Sequence, residues 1–263
     1  MNDFKVDKFP KTRIATFDVC SVGMQKHHVA AMIEVDVTES RKKIRLSRSK
    51  TVRISFFAWL IKVISLTIKD HEHAAGYLKG KRKIMTFHDI NVSVEVEKSL
   101  NGQKVPVPLI IDKANETSVE SITRQISEAR DVEFRDKEIV LHARSNCWER
   151  IYYVLPGFVR RFFCKFLLKN PRLAFEKMGN VAVTSIGMAR NVNGWFIPVS
   201  VHPVCFGIGN IVKKPKVIDD KIEIREILNM TVLMDHDVMD GAPMARFISD
   251  LSANIEKGAG LYK

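Results

Sequence analysis

His236, Asp240 and Gly241 form the pattern in this chain best suited to proton transfer. They lie in the run Asp235-His236-Asp237-Val238-Met239-Asp240-Gly241-Ala242-Pro243. Histidine changes protonation near neutral pH, and a general base must hold such a group in one place. The chain offers that place. Met230 to Met234 is apolar except for Thr231 and reads as a buried strand. Met244, Phe247, Ile248, Leu251 and Ile255 then fall on one face of a helix. Pro243 suits the first turn of that helix and Gly258 its stop. An imidazole is thus carried on a short strand-to-helix loop. The plainer alternative is a loop histidine with a structural hydrogen bond. The other histidines lack such a setting. His27, His28, His71, His73, His88 and His142 lie among polar residues, and His202 precedes Pro203 in a loop.

The strands and helices around this loop follow from periodicity. Residues 1–11 read as a loose arm. His28 to Val37 is a strand, and Thr38 caps a basic helix through Arg48. Arg53 to His71 is apolar on nearly every side, as befits a buried helix. Ile90 to Glu97 alternates apolar and polar, Asn101-Gly102 turns the chain, and Val105 to Ile111 returns. Pro106 and Pro108 donate no backbone hydrogen bond, which places that return strand at a sheet edge or a bulge. Thr117 to Glu120 forms a capping box for a helix to Arg130. Val181 to Ile186, Val204 to Val212, Lys221 to Arg225 and Met230 to Met234 supply further strands, and Asp219-Asp220 a turn. Gly207-Ile208-Gly209 is no dinucleotide fingerprint, since no third glycine and no helix follow; it lets backbone approach within a strand. From Trp148 to Phe175 aromatic and basic residues alternate densely. Two short helices broken at Pro156-Gly157 would set an apolar face beside Arg160, Arg161 and Lys165. That face would pack on the body or a neighbouring subunit, close a pocket, or lie on a membrane.

Composition narrows the function classes. The chain has 263 residues, 46% of them hydrophobic, enough for one α/β domain with a full core. Its four cysteines, Cys20, Cys147, Cys164 and Cys205, show no metal-ligand spacing. With no apolar signal core at the N-terminus, they point to a reducing, cytoplasmic setting and to no bound metal. The apolar stretch from Ile54 to Ile68 is too short to span a bilayer, which takes about 20 residues. A net charge of +12 favours anionic partners. No zinc-finger, RRM or KH signature marks nucleic acid as that partner. A phosphorylated molecule such as coenzyme A fits, and so does a plain lysine-rich surface.

These motifs resemble a family. Asp235 to Phe247 is similar to the catalytic signature of the acyltransferase component of 2-oxo acid dehydrogenase complexes, and the His-x-x-x-Asp-Gly core is shared with chloramphenicol acetyltransferase. Val181-Ala182-Val183-Thr184-Ser185-Ile186-Gly187 resembles the family strand that carries a catalytic hydroxyl before a glycine. Trp195 to Val199 and Phe206 to Gly209 also fit, and order and spacing hold over residues 12–140 and 178–258.

The resemblance implies a chloramphenicol acetyltransferase-like α/β fold, a two-layer sandwich with a mixed sheet. It covers one catalytic domain over residues 12–263, with 145–176 as an atypical aromatic and basic insertion. It implies coenzyme A-dependent acyl transfer to a thiol, such as lipoyl on a separate protein, or to another small acceptor. His236 would be the general base and Thr184 the oxyanion donor, with Ser185 beside it as the alternative. Asp240 would brace the loop through a charged partner such as Arg13, or simply cap the helix. Read from their charge rather than from the resemblance, Lys213, Lys214 and Lys216 beside Pro215 would lie near the coenzyme A phosphates or form an ordinary solvated turn, with Arg160 and Arg161 as the alternative site. The assembly would be a homotrimer, or a group of trimers, with active sites between chains. Asp112-Lys113-Ala114 matches the tripeptide around a lipoylated lysine, but it follows a hairpin return strand, so no lipoyl group is expected on this chain. About a dozen residues precede the catalytic stretch, so the expectation is a standalone catalytic domain. The competing expectations are a non-catalytic trimeric scaffold and a membrane-surface protein.

Overall fold

A computed structural model describes residues 4–6, 9, 12–47, 54–100, 103–131, 154–186 and 192–261. The chain opens with helix α1 (Thr12–Gly23), strand β1 (His28–Asp36), helix α2 (Thr38–Ser47) and helix α3 (Phe56–Asp70). After a 3-10 turn come the small hairpin β2 (Tyr77–Lys79) and β3 (Lys83–Met85), then β4 (Val92–Leu100), β5 (Gln103–Ile111) and helix α4 (Val119–Asp131). Helices α5 (Gly157–Lys169) and α6 (Pro171–Met178) precede β6 (Val181–Ser185), β7 (Val204–Ile218), β8 (Lys221–Asp235) and the last helix, α7 (Gly241–Lys257).

Six strands form one mixed sheet in the order β1-β8-β7-β6-β4-β5, with β4, β6 and β7 parallel and the other pairs antiparallel. This is the expected two-layer α/β architecture. Helices α3, α4 and α7 cover one face. Trp59, Ile61, Ile64 and Phe247 from these helices join Val92, Val94, Val183, Phe206, Met230 and Val232 of the sheet in one core. The strict alternation in β4 explains why Val92, Val94 and Val96 are buried. β5 lies at the sheet edge, where Pro106 and Pro108 cost no ladder bond.

On the other face, residues 192–203 cross β7 and β8. A side chain at Gly207 would meet Phe196 and Pro198, and one at Gly209 would meet the Asn229 carbonyl at 2.8 Å. The close approach expected of this glycine pair is therefore real. β8 is buried on both faces from Ile227 to Asp235, as its apolar run requires.

Several local expectations need correction. Lys221–Arg225 and Met230–Met234 are not two strands but one, because the intervening Glu226 to Asn229 stays in the ladder. β7 correspondingly runs on to Ile218. The two meet at Asp219-Asp220, both with positive φ, as a tight two-residue hairpin demands. Helix α4 is capped by Ser118, whose Oγ accepts from the Ser121 N–H, while the Thr117 hydroxyl donates to the Asp112 carbonyl. At α2 the acceptor is Asp36, which takes both the Thr38 N–H and its hydroxyl. A helix does begin at the expected Pro156-Gly157, with a further break at Asn170-Pro171 that separates α5 from α6; the stretch 148–153 expected to hold an earlier helix lies outside the described residues, as do Asn101-Gly102 and Gly187. Helix α1 and the β2–β3 hairpin carry no clear period and escape the sequence reading.

Candidate active site

The loop after β8 is held at its backbone and left free at its imidazole. Asp235, the last residue of β8, is buried and joins Lys26 Nζ at 2.5 Å. Its other carboxylate oxygen accepts from the Asp237 N–H. The Asp235 carbonyl accepts from Val238 and Met239, closing the turn, and the His236 N–H donates to the His27 carbonyl at 3.0 Å. Val238 and Met239 are buried and anchor the loop to the core. The His236 side chain is exposed and makes no hydrogen bond with any described residue. So the backbone of the loop is fixed by the surrounding chain, while the exposed imidazole is hydrogen-bonded to no described residue.

Lys26, His27, Asp235 and Asp237 are the positioning residues that sequence reasoning missed. His27 Nδ1 meets Asp237 Oδ1 at 2.9 Å, and that hydrogen bond and charge raise the His27 pKa. The signal was the antiparallel pairing of β1 with β8, which sets His28 opposite Asp235. From the sequence alone that pairing is invisible.

Asp240 begins α7 with an extended backbone, and its side chain makes no capping hydrogen bond. It forms no ion pair with Arg13, whose guanidinium instead lies 5.8 Å from the centre of the Phe9 ring. Among the described residues of one chain neither of its expected roles is filled by a partner, and the residue stands at the start of a helix whose N-terminus is its positive end.

Thr184 lies on β6, level with Gly207 of β7 and, through it, Thr231 of β8. His236 is five residues beyond Thr231 and two strands over. The two side chains are therefore on the order of 15–20 Å apart within one chain. The Thr184 hydroxyl donates to Glu95 Oε2 at 3.1 Å. Glu95 shares the face of the sheet opposite the helices and was not singled out from the sequence.

The three lysines sit at the far end of β7. Lys214 pairs with Glu34 at 2.6 Å and lies over the Trp195 ring, and Lys216 pairs with Asp36 and Glu256. Lys213 is exposed with no ion pair among the described residues. Val204, level with Met234, starts the strand, so Lys213 is roughly 30 Å from the His236 loop in the same chain. The alternative pair, Arg160 and Arg161, is bound to buried Asp18.

The remaining reactive groups have structural tasks. His202 donates from Nε2 to the Met178 carbonyl and accepts the Ser200 hydroxyl at Nδ1; loss of water around the ring, the largest effect, brings its pKa down to about 4. His28 donates to the His202 carbonyl and is also lowered by burial. Burial pushes the Cys205 thiol up to about 12, which makes it a poor nucleophile. Lys113, in the lipoyl-like tripeptide, pairs with Asp89 in a tight turn. Among the described residues no three His, Cys, Asp or Glu side chains converge as a metal site.

Comparison with known proteins adds to this geometry. The family model described as 2-oxoacid dehydrogenases acyltransferase (catalytic domain) matches residues 13–140 and 169–262. The lipoamide acyltransferase component of the branched-chain alpha-keto acid dehydrogenase complex of Bacillus subtilis (strain 168) is 26% identical over 237 residues, which are 87% of this chain and 46% of that protein. The dihydrolipoyllysine-residue acetyltransferase component of the pyruvate dehydrogenase complex of Corynebacterium glutamicum is 25% identical over 93% of this chain and 32% of its own length. The chain thus spans less than half the length of these curated relatives. Among solved structures, the probable dihydrolipoamide acetyltransferase from Listeria monocytogenes 4b F2365 superposes with a TM-score of 0.68 at 23% identity, covering 98% of this chain and 96% of that one.

Proposed function

The chain belongs to the 2-oxoacid dehydrogenases acyltransferase (catalytic domain) family, and from that premise we propose that it transfers an acyl group between coenzyme A and a thiol, with His236 as general base. The acceptor thiol is a dihydrolipoyl group on a separate protein, or another small acceptor. The observation that carries this reading is the His236 mount, a backbone pinned to His27 with an imidazole that is exposed and unbonded among the described residues.

In the proposed step, a neutral imidazole nitrogen takes the proton of the acceptor thiol. The thiolate attacks the acyl-CoA carbonyl carbon, and the carbonyl electron pair moves to oxygen. Collapse of the tetrahedral intermediate breaks the bond to the coenzyme A sulfur, which leaves with the proton that the imidazolium returns. The intermediate's oxyanion needs a donor placed in advance. Thr184 takes that part from a neighbouring chain, since its own His236 is too far away. For this its hydroxyl turns from Glu95 to the substrate. Apolar side chains left exposed on β1 and at the β7–β8 hairpin, Met32, Val217, Ile222 and Ile224 among them, supply surface for such a contact. The assembly is a trimer or a group of trimers.

The experiment is to mix two inactive variants. His236→Ala and Thr184→Ala homo-oligomers should each lose roughly 10²-fold or more in thiol release from acyl-CoA with free dihydrolipoamide. After co-refolding in equal amounts, about a quarter of the sites pair an intact His236 with an intact Thr184, and that share of activity should return. If His236→Ala turns over like the wild type, the mechanism is wrong. If the mixture stays as inactive as its parents, the site is not shared.

A further inference from the structure

Helix α5 is apolar along much of its length, yet none of its residues is buried. Phe158, Phe162, Phe163 and Phe166 are 70%, 65%, 52% and 53% exposed. The helix is nevertheless well attached. On its inner side Arg160 Nε reaches Asp18 Oδ2 of α1 at 2.6 Å, and Arg161 lies 3.6 Å from the other oxygen. Asp18 is fully buried, so this ion pair holds the helix in one orientation. The phenylalanines are turned outward by a fixed joint.

Phe158, Phe162 and Phe166 follow one another at four-residue spacing and form a stripe. Lys165 and Lys169 fall on the same side by the same spacing. From Val154 to Phe175 the chain carries Arg160, Arg161, Lys165, Lys169 and Arg172 and no acidic residue. Lys165, Lys169 and Arg172 form no ion pair with any described residue. Exposed rings and unpaired ammonium groups therefore share one face.

That combination selects the occupant. A protein surface burying the rings would also have to bury Lys165 and Lys169, which is unfavourable without matching carboxylates. A two-fold contact with a second copy would set these cations against their own copies. A bilayer surface accommodates both kinds of group. Rings enter the boundary between headgroups and acyl chains, while long basic side chains extend to the phosphates. Among the described residues no helix is long and apolar enough to cross a membrane, so α5 would lie in the plane of the surface. The net charge of +12 adds attraction to an anionic leaflet.

We propose that α5 docks this protein onto an anionic phospholipid surface, with the Phe158–Phe162–Phe166 stripe in the interface and Lys165 and Lys169 among the lipid phosphates. The acyl-transfer reading is independent of this docking. The test is co-sedimentation of the whole protein with vesicles of phosphatidylcholine alone and of equimolar phosphatidylcholine and phosphatidylglycerol. Binding is expected to the anionic vesicles, with at least a tenfold loss of partition in Phe158→Ser/Phe162→Ser/Phe166→Ser. Lys165→Glu/Lys169→Glu should weaken it with the rings intact, and added salt should do the same. Emission from Phe162→Trp should shift to the blue when anionic vesicles are added. No partition into anionic vesicles overturns the proposal. So does wild-type partition by the triple serine variant, which would assign binding to the general basic surface. A lipid-free triple serine variant that sediments as a smaller oligomer would make this face a subunit contact and also sink the idea.

Discussion

His236 is positioned by residues that do no chemistry themselves. Lys26 neutralises a buried carboxylate at the base of its loop, and removing one partner of such a pair leaves an uncompensated charge. Lys26→Met should therefore lower stability by roughly 3 kcal/mol and cut kcat more than it raises KM, because the imidazole loses its fixed place. Denaturant melts and steady-state assays of the same variant would check both parts; an unchanged melt would mean that Asp235 finds another partner. Glu95 presents the opposite case. Its carboxylate accepts the Thr184 hydroxyl, and if Thr184 serves as the proposed oxyanion donor, that carboxylate sets negative charge near the developing oxyanion. Glu95→Gln should raise kcat severalfold in the proposed mechanism, since a neutral amide no longer opposes that charge. A fall in kcat with coenzyme A affinity unchanged would instead make Glu95 a required positioning group for Thr184.

The long β7–β8 hairpin separates two kinds of lysine. Lys214 and Lys216 brace it through Glu34, Asp36 and Glu256, whereas Lys213 is exposed and without an ion pair among the described residues. Converting Lys213, Lys214 and Lys216 together to Gln should raise the apparent constant for coenzyme A and flatten its salt dependence. Lys213→Gln alone should account for most of that change, and Lys214→Gln/Lys216→Gln should act mainly on the melting temperature. Binding titrations at two salt concentrations decide this. If Lys213→Gln binds coenzyme A like the wild type at both, these charges belong to the hairpin and not to a phosphate site. At the same scale, β5 and α7 behave as their residues dictate. The prolines of β5 confine it to an edge, and Gly258 stops α7 in a left-handed conformation that suits glycine.

Acid should loosen the molecule as a whole through the His202 cluster, where residues 192–203 meet α6 and β1. Desolvation holds His202 down to about 4 and His28 also low. The unfolded chain, with ordinary imidazoles, thus binds protons that the folded chain refuses. Stability from these groups is complete above about pH 6.5 and is lost as pH falls from there towards 4. The melting temperature should drop by several degrees between pH 7 and 5. His202→Gln, which keeps a donor for the Met178 carbonyl, should flatten that slope even if it melts lower at pH 7. A variant with the wild-type slope would place the titrating group elsewhere.

Local spacing along the chain carries a good part of this structure. The strand–loop–helix around His236, the edge strand with its prolines, the Asp219-Asp220 turn and the buried faces of α3 and α7 all follow from periods and turn chemistry within a few residues. The run from Asp235 to Phe247, together with the Val181–Gly187 strand and the order of the motifs between them, indicated the family. Which side chains meet depends instead on how distant segments pack. The Lys26–Asp235 contact joins residues 209 positions apart, and no local pattern encodes it. The caps of α2 and α4 moved by one or two residues because competing acceptors lie next to each other. Residues 221–225 and 230–234 fused into one strand because Glu226 to Asn229 are held in the ladder by β1 and β7. The separation of His236 from Thr184 is likewise a matter of sheet order and register, set by packing of the whole sheet on its helices, and the proposed mechanism therefore needs a second chain to bring the two together.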